Sequence, residues 1–137
     1  MRVLFDTNIF LDLLMDRVPF SDPAAELFSR VEEGTIIGYV CSASITTIYY
    51  IASKTIGAVR AQEEVKKLLN LFEVAPVNRA VLESALTAGF ADFEDAVIYA
   101  AACQVDAEAI VTRNKKVLKK SRISVYSSAE LVKILLR

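Results

Sequence analysis

Apolar residues along this chain follow two alternating rhythms. Short, largely continuous apolar runs at residues 2–6, 36–40, 72–75, 109–112 and 124–126 have the length and β-branched content of buried strands. Between them the apolar positions recur at helical spacing. Ile9, Leu13 and Leu14 predict a short helix after the first strand. Ala25, Leu27, Phe28 and Val31 predict a second, opened by Ser21 with Pro23 at an early helical position and stopped at Gly34. Ile45, Ile48, Tyr49 and Ala52 predict a third, capped by Ser42 or Ser44 and ending near Gly57. Segments 59–71, 78–88, 93–104 and 128–136 complete the helical set, with Asn78 and Asp92 as N-caps.

Strands that alternate with helices predict a parallel sheet with helices packed on it. The expected architecture is a single-domain, three-layer α/β sandwich over residues 1–137, with a mainly parallel sheet of four to five strands flanked by helices. No repeat, low-complexity tract or linker interrupts the pattern. A hydrophobic fraction of 54% is ample for one core at this length.

Composition narrows the chemistry. The chain contains no histidine, which removes histidine general bases, Ser-His-Asp and Cys-His nucleophile systems and the commonest zinc ligand. Carboxylates, lysine or a hard metal must carry any reaction. Cys41 and Cys103 form no CxxC motif and are expected to be reduced, buried thiols. With no apolar run of membrane-spanning length and no signal-peptide pattern, the expected location is the cytoplasm. A net charge of -1 gives no global attraction to nucleic acid.

In an open parallel sheet, ligands sit where the carboxyl ends of strands meet helix N-termini. Three segments would bring polar side chains to that edge. "VLFDTNIF" places Asp6, Thr7 and Asn8 after the first strand, "DFEDAVIYAAA" places Asp92, Glu94 and Asp95 in the first turn of an otherwise apolar helix, and "IVTRN" leaves Arg113 and Asn114 on an outgoing loop. Asp6, Asp95 and Asn114 would converge on one edge. Each also has a plain structural explanation: Asp6 as a turn or cap residue, the three acids as partners of the helix dipole, and Asn114 as a strand terminator. Tyr49, Tyr50 and Tyr99 read as core or subunit-contact aromatics, with base stacking as the alternative.

These three ordered blocks resemble the signature of the PIN domain family, and "LDLLMDRVPF" at 11–20 and "SASITTIYYIASK" at 42–54 extend the likeness over nearly the whole chain. The resemblance implies a PIN-like fold and a metal-dependent ribonuclease, many small members being VapC-type toxins held by a cognate antitoxin and often homodimeric. It implies a Mg²⁺ or Mn²⁺ site of oxygen ligands whose bound water attacks an RNA phosphodiester. By position, Asp6 matches the first metal-binding acid, Asp95 the acid of the later helix and Asn114 a position that is often acidic. Thr7 and Asn8 match residues that orient the first acid or the metal-bound water, so the catalytic set would be Asp6, Asp95, Asn8 and Thr7.

The chain departs from the family pattern at Thr47, where a second acid is common, and at Val117, where many members continue to an aspartate. The missing carboxylate predicts weaker metal binding or slower cleavage unless Asp92 or Glu94 takes its place. Asp12 is expected to point elsewhere, six residues along the helix from Asp6.

Charge placement adds an independent signal. Residues 113–122 hold six basic residues and no acid, and the remaining ten basic against seventeen acidic residues leave -7 elsewhere. Arg113, Lys115, Lys116 and Lys119 are therefore candidate RNA contacts, a positive track beside an acidic site, although a solvated surface explains the strip equally well. Three function classes follow: a metal-dependent endoribonuclease of a toxin-antitoxin pair, a catalytically weakened PIN domain that binds RNA or protein, and a phosphatase using Asp6 as nucleophile. The last lacks its usual second aspartate, because position 8 is Asn.

Overall fold

The computed structural model describes residues 1–115 and 121–136. Five strands form one sheet: β1 (Arg2–Phe5), β2 (Ile37–Cys41), β3 (Glu73–Ala75), β4 (Ala109–Val111) and β5 (Ser124–Tyr126), in the order β3-β2-β1-β4-β5. The pairings are parallel, with Phe5 opposite Val40 on one side and Val111 on the other. Among the described residues, seven α-helices run between or after them: α1 (Thr7–Leu14), α2 (Ser21–Glu32), α3 (Ser42–Ile56), α4 (Ala58–Leu71), α5 (Arg79–Thr87), α6 (Phe93–Gln104) and α7 (Ser128–Leu135). The expected α/β sandwich is the observed one.

Period-two alternation builds the layers. Val3 and Phe5 join Val40, Ala109 and Val111 in one core with residues of α1, α2, α3, α4 and α7, while Leu4 joins Cys41, Ala75 and Ile110 in a second core with α5 and α6. Both faces of β1 are therefore covered, which explains its unbroken apolar text. Phe5, Phe10, Phe28 and Phe72 cluster with ring centroids 5.0 to 6.0 Å apart, locking α1, α2 and the α4 exit onto the sheet.

Several local readings shift. Residue 6 leaves the strand, because Asp6 is the N-cap of α1 and accepts from the Thr7 amide. Ser21 is not a cap: α2 begins at Ser21, which is buried, behind an N-cap Phe20 already in helical conformation. Neither Ser42 nor Ser44 caps α3, whose N-cap is Cys41. Both serines are used across the fold instead, Ser42 accepting from the Val77 amide and Ser44 from the Thr7 hydroxyl. Asn78 and Asp92 do cap α5 and α6. Gly57, at φ 86, ends α3 and starts α4. Cys103 is exposed rather than buried, because it faces outward on α6. No helix among the described residues is long and apolar enough to cross a membrane.

Candidate cation site at the carboxyl edge of the sheet

The strand order reverses at β1, from which the chain winds outward to β2 and β3 before returning to β4 on the other side. This is a topological switch point, where loops part and a crevice opens. Asp6 follows β1 there and Thr112 follows β4, joined by the Asp6 amide donating to the Val111 carbonyl at 2.9 Å.

The Asp6 carboxylate is fixed at both oxygens. The Thr7 amide donates to Oδ1 at 2.8 Å and the Thr112 hydroxyl donates to Oδ2 at 2.8 Å. The Asn114 amide donates in turn to the Thr112 hydroxyl at 3.1 Å, so a short chain of hydrogen bonds ties Asn114 to Asp6. Thr7 uses its own hydroxyl to donate to Ser44 at 2.8 Å, anchoring the start of α1 to α3. Asn8 is exposed. Burial raises the Asp6 pKa above the ordinary carboxylate value, opposed by the bonds from Thr112 and Thr7 and by the Arg113 charge.

Asp95 comes from the first turn of α6, where Asp92 caps the helix by accepting from the Asp95 amide at 3.1 Å. Its carboxyl is pushed up to about 6, first by burial and then by the charges of Asp92, Asp6 and Glu94. Asp6 and Asp95 thus feel each other across the edge. The Cys41 thiol, raised chiefly by burial, is raised further by Asp6 and Glu94. Four acids and a buried thiol share one electrostatic neighbourhood, in which the Arg113 charge opposes the rise at Asp6.

Thr47 lies half-buried on α3, one turn beyond Ser44. Asp12, which the sequence reading set aside, is 1% exposed and is met by Arg113 Nη2 at 3.2 Å and Arg17 Nη1 at 3.7 Å. Burial raises its pKa, against the lowering charges of Arg113 and Arg17. Arg113 also stacks over the Phe20 ring at 4.3 Å. Lys115 pairs with Glu130 of α7. The two described members of the proposed RNA track nearest Asn114 are therefore both engaged by carboxylates, while Lys116 and Lys119 lie outside the described residues. Tyr50 is 60% exposed, so it is no core residue, whereas Tyr99 packs edge-on against Phe90.

Oxygen ligands from Asp6 and Asp95 are of the type that Mg²⁺ or Mn²⁺ takes. Among the described residues, however, no group of three or more His, Cys, Asp or Glu side chains is arranged to hold a metal ion. Sequence reasoning missed Thr112 and Ser44 as supports of Asp6 and Thr7, since hydroxyls at strand ends and helix starts carry no distinguishing pattern. Asp12 did leave a signal: it is the single charge inside the apolar text "IFLDLL".

A PIN domain family model matches residues 2–116. The chain belongs to the PIN domain family. This PIN domain is 25% identical over 119 residues to "Ribonuclease VapC1" of Aquifex aeolicus (strain VF5), covering 83% of this chain and 82% of that protein. Its fold is similar to that of a toxin-antitoxin complex from Klebsiella pneumoniae, with TM-score 0.70 and 22% identity over 92% of this chain and 97% of that one. It is also similar to VapBC2 from Rickettsia felis bound to a DNA fragment from their promoter, with TM-score 0.69 and 15% identity over 93% of this chain and 98% of that one.

Proposed function

We propose that this PIN domain is a catalytically weakened member of a toxin-antitoxin pair that acts chiefly by binding a partner protein. The observation that carries this reading is the state of the acids: Asp12 is buried under two arginines and position 47 is Thr, so Asp6 and Asp95 are left as the principal carboxylates for a cation. A groove of about 440 Å³ walled by the Phe cluster supports the partner. It is lined by Phe10, Leu13, Phe28, Leu68, Leu71 and Phe72, with Glu64 and Lys67 at its rim, and suits an apolar segment with charged flanks. The similarity to a VapC ribonuclease and to a toxin-antitoxin complex supports an antitoxin as that partner.

A second reading, a Mg²⁺- or Mn²⁺-dependent endoribonuclease, is favoured by one specific observation. The Asp95 carboxyl is raised to about 6 by burial and three neighbouring acids, the condition that a bound cation would relieve. Asp6 and Asp95 would hold the ion, assisted by the neutral Asn114 and by Asp92 at the rim. Such an ion supplies an activated water and charge stabilisation at a phosphodiester. On the protein side, Thr7 and Thr112 would keep Asp6 oriented and Asn8 would face the substrate.

Purified protein incubated with single-stranded RNA and Mn²⁺, beside Asp6→Asn, separates the two. No cutting by either protein, with a stable complex formed with the product of a short reading frame found beside this gene, supports the binding module. Cutting by the parent that disappears in Asp6→Asn supports the nuclease.

A further inference from the structure

Arg113 begins the basic strip, yet its guanidinium is turned inward. Asp12 is 1% exposed while Arg113 and Arg17 side chains keep 31% and 32% exposure, so the carboxylate is the buried partner and the two cations are its link to solvent. Neither Asp12 oxygen makes a hydrogen bond of good geometry among the described residues. The contacts are ion pairs, and a carboxylate in that position depends on them. The Phe20 ring covers one face of the Arg113 guanidinium, fixing its plane. On the far side of Asn114, Lys115 reaches Glu130, whose carboxyl falls to about 2 chiefly through that hydrogen bond and which also closes the capping box of α7 with Ser127. The short segment that carries Asn114 is thus held at both ends, once to α1 and once to α7, while its middle is bonded through Thr112 to Asp6.

We infer that Arg113 is a positioning residue: Asp12 and Phe20 hold its guanidinium so that the Thr112 to Lys115 turn stays against Asp6. Arg113 is then committed to the fold and is not a phosphate contact. A positively charged residue at this place satisfies a buried acid on α1, and the same contact sets where Asn114 stands relative to the proposed cation site. The inference depends on the proposed function only for what is being positioned, and its test uses neither metal nor RNA cleavage.

The experiment is backbone ¹⁵N relaxation on the full chain without metal. In the parent protein the amides of residues 113–115 are expected to show order parameters of about 0.85, and in Asp12→Asn to fall below about 0.6, with β1 unchanged. Arg113→Gln should produce the same loss, and the double variant no more than either single one, because both break one contact. Arg113→Lys, which keeps the charge but not the planar fork, should recover part of the order. Should Asp12→Asn fail to fold, Phe20→Leu at the partly exposed ring carries the same test with a smaller drop. A second measurement titrates a non-cleaved single-stranded RNA against Asp12→Asn and Arg113→Gln. Unchanged order in Asp12→Asn, or RNA affinity lost in Arg113→Gln but kept in Asp12→Asn, would overturn the inference and return Arg113 to the RNA track.

Discussion

Thr112 donates its hydroxyl to Asp6 Oδ2 at 2.8 Å across a sequence separation of 106 residues. The bond links the ends of two neighbouring parallel strands at the switch point of the sheet. It also stabilises the charged form of Asp6 against the cost of burial. Thr112→Val, which keeps the shape and removes the donor, is therefore expected to raise the Asp6 pKa further. A ¹³C-carboxyl titration by NMR reads this directly, and an unchanged Asp6 midpoint would refute it.

Asp95 gives a pH dependence whose sign is opposite to that of a salt-bridged acid. Its folded pKa of about 6 lies above the 3.8 of an ordinary aspartate, so the folded state holds the proton more tightly between those values. Its contribution to stability is present below about pH 4 and is lost as pH rises through 6. Asp95→Asn should flatten that segment of the stability curve and raise the melting temperature of the metal-free protein at pH 7.5. Thermal melts from pH 4 to pH 8 on both proteins check it, and parallel curves would rule it out.

Thr47 stands one turn beyond Ser44, whose hydroxyl accepts from Thr7 beside Asp6. Thr47→Glu is expected to return a carboxylate to this edge, tighten Mn²⁺ binding and raise any nuclease rate. Calorimetric Mn²⁺ titration measures the first effect. Equal affinity in the two proteins would mean that position 47 does not reach the cation.

Gly38 lies buried in β2, where an added Cβ would come within 2.6 Å of Phe72 Cε2 and 2.9 Å of Val31 Cγ2. The rings of the Phe cluster leave little freedom to yield. Gly38→Ala should destabilise the fold by about 1–3 kcal/mol, the usual range for an overfilled core. Urea denaturation gives the number, and a midpoint equal to the parent's would show that Phe72 moves aside at no cost.

The layer order and the helix and strand types were legible in the chain because both rest on local rules. Period-two burial on β1 and β2, helical spacing on α2 and α6, and side-chain caps at Asn78 and Asp92 are each decided within a few residues. The positions of Asp6 at a strand end and Asp95 in the first turn of a helix were legible in the same way, whereas a ligand role for Asp95 came only from the resemblance to the PIN family. Ser21, Ser42 and Ser44 misled for a physical reason: a hydroxyl near a helix start has several competing acceptors and donors, and tertiary neighbours took Ser42 and Ser44 away from capping.

Partners of charged side chains were decided only in three dimensions. Nothing local distinguishes Arg113 from Lys115 or either from a free phosphate contact, yet one meets Asp12 on α1 and the other Glu130 on α7. Those contacts arise because β4 lies between β1 and β5, which brings the exit of β4 between α1 and α7, and strand order is a long-range property. The chain alone determined which residue types stand at the ends of its strands. The packed sheet decided which of those charges face each other, because an ion pair needs proximity in space and sequence spacing does not specify it.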